Sequence, residues 1–148
     1  MAGSIYDWST SPATNATADA AINWAEFQDP DTVNNSARQM MARSAEFLAD
    51  TNATKTSTGA ANTFAVTLTS VPSSLVNGTI VSFIAHQGNS GAATLAVNSF
   101  GAKPLRAKKS TSLRNGEIQA NTVIGAYYNL AGDEWLIINS GIDVNALG

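Results

Sequence analysis

The spacing of apolar residues changes near Asn62, and this change constrains the fold more than any other feature of the sequence. Before it, apolar and small residues recur every three or four positions; after it, they recur every second position. In residues 63–69, Phe64, Val66 and Leu68 alternate with threonine and alanine. A period of two is typical of a strand with one buried face, whereas a period near 3.6 is helical. The sequence therefore predicts a helix followed by a β-domain.

The predicted β-domain covers residues 62–141, and residues 142–148 form a tail. Its candidate strands are 63–69, 78–87, 92–98, 103–109, 122–129 and 134–140. Hairpin turns are predicted at 88–91 and 130–132, and a tight turn at Asn115-Gly116. Pro104 favours an edge position for its strand, because proline cannot donate to a ladder. About six to seven short strands without helices between them predict a mainly β fold, a small β-sandwich or barrel-like domain.

Two of these strands are apolar on both faces. Ile80 and Ile84 oppose Val81 and Phe83, and residues 135–138 are continuously apolar. One small core covers only one face of each sheet. The other face therefore needs a neighbour, either the preceding helix or another copy of the chain, and we favour another copy.

Residues 33–50 carry the helical pattern, with Asp29-Pro30 as a capping side chain followed by a first-turn proline. Two stripes of apolar or small residues run along it: Val33, Ala37, Met40, Ser44 and Phe47, and beside them Met41, Ala45 and Leu48. A helix of about 25 Å is marginal alone in water and must pack on something. The four-three spacing suits a seam between helices, and packing on the chain's own β-domain is equally open. Residues 51–61 are polar turn formers and are predicted to be a linker.

Residues 1–32 show neither period and are predicted to be an extended docking arm. Tyr6, Trp8, Trp24 and Phe27 are suited to anchoring such a peptide in a groove, because rigid rings bury much area at little entropic cost. The alternative is a disordered tail with four accidental aromatics. Since no internal pocket for these rings is evident, we expect the arm to be mobile in the free protein.

Charge and composition argue against several partners. Only 13% of the 148 residues are charged. Five of the eight basic residues lie within 103–114, without interleaved aromatics, which favours a solvated β-edge over a nucleic-acid site. No apolar run approaches a membrane span, and the first ten residues lack the pattern of a signal peptide. We therefore expect neither nucleic acid nor membrane as a partner.

The sequence offers little catalytic chemistry. It has no cysteine, and its single histidine, His86, is expected to be structural. No G-x-S-x-G element is present, and the acids of the β-region, Glu117, Asp133, Glu134 and Asp143, lie beside predicted turns or near the tail. We expect no enzyme activity, no metal and no cofactor.

The N-terminal motifs resemble a known family. Tyr6-x-Trp8, Asn15, Asp19, the element 22–26 (Ile-Asn-Trp-Ala-Glu) and the element 33–38 (Val-Asn-x-Ser-Ala-Arg) with Met40-Met41 are similar to the N-terminal segment of bacteriophage and prophage tail-fibre and tail-associated proteins. The match covers about residues 4–50. Residues 113–139 resemble, more weakly, a β-module common in such proteins.

The resemblance implies a non-enzymatic virion protein, made in the bacterial cytoplasm, whose N-terminal segment fixes a trimeric fibre to tail, neck or baseplate proteins. The implied docking residues are Tyr6, Trp8, Asn23, Trp24, Glu26, Asn34 and Arg38. The implied trimer or helix-packing residues are Val33, Ala37, Met40, Met41, Ser44, Phe47 and Leu48.

Two departures from the family refine this expectation. Family members continue for hundreds of residues into a receptor-binding region, whereas this sequence carries one small β-domain. It therefore suits a short adaptor, collar or baseplate component on which a separate distal fibre could sit. Glycine commonly follows the glutamate of the Asn-Trp-x-Glu element, and Phe27 stands there instead, so the local loop is expected to differ.

A second reading is a carbohydrate-binding module for host surface glycans. Tyr127, Tyr128 and Trp135 would supply its stacking platforms if their rings face outward. Their strands are rich in isoleucine, valine and leucine, which favours burial instead.

Overall fold

The computed structural model describes residues 3–70 and 72–138. The chain forms two compact units. The first, the arm–helix unit, comprises Met1–Ala49 with Thr69–Ser74; the second, the barrel unit, comprises Asp50–Leu68 with Leu75–Gly148. The predicted tail, 142–148, lies outside the described residues.

The helix of the arm–helix unit, α1, runs from Pro30 to Thr51 and confirms the predicted helix. It begins three residues earlier than expected, because Pro30 itself occupies the first helical position. The Thr32 backbone N–H and hydroxyl both donate to the Asp29 carbonyl and close the first turn. Before α1 the described arm has only two short 3-10 helices, Ile5–Asp7 and Pro12–Asn15, joined by turns.

The barrel unit is a mixed sheet of seven strands that form a nearly closed barrel. The strands are β1 (Thr63–Val66), β2 (Ile80–Ile84), β3 (Ala93–Val97), β4 (Ala102–Lys108), β5 (Thr111–Ser112), β6 (Val123–Asn129) and β7 (Glu134–Ile137). Their order is β1-β3-β4-β7-β6-β2, with β5 paired to β4. The predicted barrel-like β-domain is confirmed, including the β6–β7 hairpin across 130–132.

The segment predicted as a linker closes the barrel. Thr56 bridges to Ile84 of β2, and Thr58 bridges to Ala65 of β1, so residues 56–58 lie between the two end strands. The Ser57 N–H donates to the Ile84 carbonyl at 2.9 Å, and the Thr58 and Ala65 N–H groups donate to each other's carbonyls. Part of 51–61 thus works as a short closing strand, because both sheet edges leave main-chain groups that need partners.

The barrel interior holds the residues that the alternation predicted. Phe64, Val66 and Leu68 are buried, as are Leu95 and Val97 of β3. These side chains meet others from β2, β4, β6 and β7, which point inward at every second residue: Val81, Phe83, Leu105, Ile124, Ala126, Tyr128, Trp135 and Ile137. The period-two pattern therefore identified the core correctly.

Two local predictions in the β-region were wrong. The strand that contains Pro104 is central, between β3 and β7. Proline is tolerated there because pairing with β7 starts only at Leu105, so no partner strand on that side needs its missing N–H. Residues 88–91 do not form a hairpin, since β2 pairs with β6 and β3 pairs with β1 and β4. A turn signal shows that the chain reverses but not which strands become neighbours.

The strands that are apolar on both faces are covered partly by other residues of the same chain. All four residues of β7 are buried, and Leu136 is only 6% exposed. It stands opposite Tyr127 of β6 and Arg106 of β4, whose long side chains share its outer face. On β2, Ile80 and Ile84 are half-buried. The outer face of β7 is therefore covered within the chain and does not require a second copy.

Candidate docking surface

The arm is held on α1 by a buried ion pair that hydrophobic spacing could not reveal. Asp19 and Arg43 are 2% and 4% exposed, and Arg43 Nε donates to Asp19 Oδ2 at 2.7 Å. Arg43 also donates through Nη1 to both carboxylate oxygens of Glu46. Gly3 is required beside Asp19, because a Cβ at position 3 would stand 2.3 Å from the Asp19 Cγ.

The electrostatics of this pair favour its charged form. Burial opposes ionisation of Asp19, but hydrogen bonds from Arg43 and from the Ala21 N–H outweigh it, so the pKa of Asp19 lies below its usual value. The hydrogen bond to Asp19 raises the pKa of Arg43, against the opposing effect of burial. The pair is therefore a charged link between arm and helix at neutral pH.

A second link joins the predicted Asn23-Trp24 element to the helix. The Ser36 hydroxyl accepts from the Asn23 N–H at 3.0 Å and donates to the Asn23 carbonyl at 3.2 Å. Ile22, the preceding residue, is buried. Both main-chain groups of Asn23 are thus satisfied by one helical side chain, which sets the position of Trp24.

The first residues of the arm are tied within the same unit. Tyr6 packs edge-on against Phe47 of α1, with ring centroids 5.7 Å apart. The Ser4 and Ser70 hydroxyls are 2.9 Å apart, and Ser4 caps the first 3-10 helix. The arm therefore has internal partners, contrary to the expectation that its aromatics lack a pocket.

The predicted docking residues divide into those used internally and those presented. Tyr6 and Trp8 are half-buried, and the Asn23 side chain accepts the Ala25 N–H. Trp24 is 38% exposed, and its indole N–H donates to the Met40 sulfur at 3.1 Å. The other three side chains are exposed and have no hydrogen-bond partner among the described residues: Glu26, Asn34 and Arg38.

Trp24 stands between concave surfaces. A small cleft of about 70 Å³ is lined by Trp8, Asn15, Ile22, Trp24 and Met40. An open hollow of about 570 Å³ lies on the side of Pro12, Ala16 and Glu26. A second hollow, of about 650 Å³, lies against the helix and is lined by Trp24, Ala37, Met40, Met41 and Ser44. The element that the sequence singled out is thus the centre of this surface.

The helix stripe predicted for packing is mostly exposed. Val33, Met41 and Leu48 are 41%, 72% and 63% exposed, and Ala37 and Ser44 are exposed as well. The sequence assigned Phe47 to the same packing stripe. In the structure Phe47 instead faces the arm and contacts Tyr6. The exposed line Ala37, Met41, Ser44 and Leu48 keeps the four-three spacing of a helix seam.

Phe27 is the most exposed large apolar residue of the described chain. Its side chain is 102% exposed, and its φ of 62° lies in the left-handed region. Glycine, which the family resemblance implies at this position, adopts that conformation freely, whereas a bulky side chain is strained in it. The main chain therefore keeps a glycine-like turn while carrying a phenylalanine.

The β-region contributes little to a site. His86 is engaged in closing the barrel: its Nδ1 lies 2.8 Å from Ser57 Oγ and its Nε2 lies 3.2 Å from the Gly59 carbonyl. Of the rings considered for carbohydrate stacking, Tyr128 and Trp135 are buried, and only Tyr127 is partly exposed. Tyr128 instead donates its hydroxyl to Asp133. A sugar-binding platform of three rings is therefore not formed.

Two of the five bases in the predicted basic cluster form ion pairs with described residues. Lys103 contacts Asp133 at 2.9 Å, and Arg106 contacts the buried Glu134 at 2.9 Å. Lys108 is exposed at the end of β4. These pairs hold neighbouring strands together, in keeping with a solvated sheet surface.

Within residues 3–70 and 72–138, no group of three or more histidine, aspartate or glutamate side chains could hold a metal ion. No helix in this part of the chain is long and apolar enough to cross a membrane. No protein-family model matches the chain, and no curated protein matches it. The resemblance to tail-fibre proteins therefore stays a prediction from the sequence motifs.

Proposed function

We propose that this chain is a non-enzymatic structural protein of a phage virion, a short trimeric adaptor or a tail-fibre-like, collar or baseplate component. It docks to other virion proteins through its arm–helix unit. The observation that carries the proposal is the position of Trp24, which is partly exposed between two open hollows on a surface built from the resemblance motifs.

The scaffold beneath this surface supports a docking role. Asp19, Ser36 and Arg43 are buried polar residues that bond the arm to α1. Such a network fixes one arrangement of the arm, since breaking a buried pair leaves an uncompensated charge. A preformed surface loses less conformational entropy on binding than a mobile arm does.

The chemistry of the surface also supports a protein partner. Trp24 and Met40 offer apolar area with an adaptable thioether, and Glu26, Asn34 and Arg38 of the same unit are exposed polar side chains. Tryptophan is among the residue types enriched in binding hot spots.

Incorporation into virus particles tests the docking role. Trp24→Ala should abolish incorporation of the chain, with its helix content unchanged by circular dichroism. Tyr127→Ala is the matched control, because Tyr127 is 39% exposed against 38% for Trp24 and lies in the barrel unit. Incorporation of Trp24→Ala at the level of the Tyr127→Ala control would reject docking through this surface.

A further inference from the structure

Phe27 has two properties that folding of a single chain does not explain. Its side chain is 102% exposed, so the ring is almost entirely in contact with solvent. Its φ of 62° is also unfavourable for a large side chain. Residues with a strained backbone cluster at sites that bind something, and an apolar ring left in solvent gains stability when a surface buries it.

The same unit carries an apolar hollow that is unfilled by its own side chains. Its volume is about 650 Å³, and its walls include the Trp24 indole, Ala37 and Met41. Small Ala37 and Ser44 leave space above the helix, and methionine adapts its shape to an aromatic ring. A phenyl ring is apolar and smaller than this open hollow, so it can enter the hollow and contact these walls.

The Phe27 ring and the hollow are separate on one chain. Phe27 precedes the first residue of the helix, Pro30, whereas Ala37 lies about two turns further on, roughly 10 Å along the axis. The exposure of Phe27 means that its ring lies outside its own hollow. Complementary features at different places on one surface join identical copies head to tail, and such contacts can close into a ring.

The charged residues that neighbour Phe27 and Ala37 in the sequence have opposite signs. In the sequence, Glu26 precedes Phe27, and Arg38 follows Ala37, which lines the hollow. Within the described residues neither side chain makes an ion pair. The only other base in residues 1–50, Arg43, is buried against Asp19. A contact between Phe27 and the hollow of another copy therefore has one exposed acid and one exposed base available for pairing between the copies.

We propose that Phe27 of one copy inserts into the hollow beside Trp24 and Met41 of a second copy, with Glu26 facing Arg38. This inference rests on the proposed function, since it names the contact through which the chain self-assembles. The hollow on the other side of Trp24 shares Glu26 with this contact, and its walls at Pro12, Ala13 and Ala16 stay available for a different virion protein.

Disulfide trapping tests the contact directly, because the chain has no cysteine of its own. Full chains carrying Glu26→Cys and Arg38→Cys, which keep the Phe27 ring and are distinguished by a tag, are mixed and oxidised gently. The mixed disulfide should form in about tenfold excess over that between Glu26→Cys and the exposed control Ala120→Cys. Equal yields in the two mixtures would overturn the proposed contact.

Sedimentation of the Phe27→Gly variant tests its energetic role. Glycine accepts the left-handed conformation, so the fold is retained while the ring is lost. Self-association should weaken about tenfold or more, and Phe27→Tyr, which keeps a ring, should associate far more tightly than Phe27→Gly. Unchanged association of Phe27→Gly would reject the contact but leave self-assembly intact. If the wild-type chain is monomeric at about 100 μM, both the contact and the trimer are rejected. Docking to other virion proteins is tested separately, by incorporation into particles.

Discussion

Asp19 and Arg43 form a buried ion pair whose Nε–Oδ2 distance is 2.7 Å, and it fixes the N-terminal arm on the helix. Both side chains are at most 5% exposed. The pair makes the arm part of a folded unit, so the surface around Trp24 is preformed.

Removing one partner of this pair should release the arm. Asp19→Ala leaves the Arg43 charge buried against a missing carboxylate, and we expect a loss of about 3 kcal/mol in the stability of the arm–helix unit. Proteolysis of the arm and urea unfolding followed by tryptophan fluorescence measure it. Arg38→Ala, which removes an exposed cation from the same helix, should change stability by less than about 0.5 kcal/mol. Equal effects of the two substitutions would contradict a structural role for the pair.

The arm should also detach in acid. The folded chain lowers the pKa of Asp19 below its ordinary value of 3.8. The stabilisation is therefore complete above that value and is lost as the pH falls through the lower folded pKa. Amide exchange of the Ala21 N–H, which donates to Asp19, should accelerate relative to unprotected amides as the pH falls from 4 to about 2. Constant relative protection over this range would show that the carboxylate charge does not hold the arm.

The Tyr128 hydroxyl should lose its proton at a higher pH than an ordinary tyrosine does. Its hydrogen bond to Asp133 and its burial raise its pKa to about 12 from an ordinary 10.0. Because the folded state favours the neutral phenol, this stabilisation is present below pH 10 and is lost as the pH rises towards 12. Tyrosinate absorbance should show a step in this window that is missing in Tyr128→Phe. A titration curve unchanged by that substitution would argue against the assignment.

The barrel closure should depend on Ser57 and His86. The Ser57 hydroxyl accepts the His86 N–H at 3.1 Å and contacts the His86 ring. Ser57→Ala removes both bonds and should cost about 1–2 kcal/mol. Exchange of the Thr58 N–H, which bonds to Ala65, reports the opening. Thr67→Ala, at an exposed position just after β1, is the control and should leave this exchange unchanged.

The sequence predicted the barrel better than the arm, and particular residues show why. Phe64, Val66 and Leu68 are apolar and alternate, so their period gave both the strand and its buried face. Ser36 and Arg43 are equally buried on α1, yet they are polar. Hydrophobic spacing cannot identify a helix face that is buried through hydrogen bonds and charge.

The candidate site was located but assigned only in part. Trp24 of the predicted motif and four residues of the helix stripe line one hollow, and docking there stays a proposal. Phe47 was assigned to the predicted packing stripe, and the exposure of Phe27 was not foreseen. Both depend on which side of the helix the arm covers, which no local pattern contains. The one local signal for Phe27 was its position where related proteins carry glycine.

By itself, the sequence determined a helix over residues 33–50, within the observed Pro30–Thr51, the strand character after Asn62 and the identity of the core, because these follow from local periodicity and proline position. Only the tertiary structure decided the central place of the Pro104 strand, the closing role of residues 56–58 and the burial of Asp19 against Arg43. Each of these joins residues distant in the chain, and long-range pairing is selected by the geometry of the whole fold.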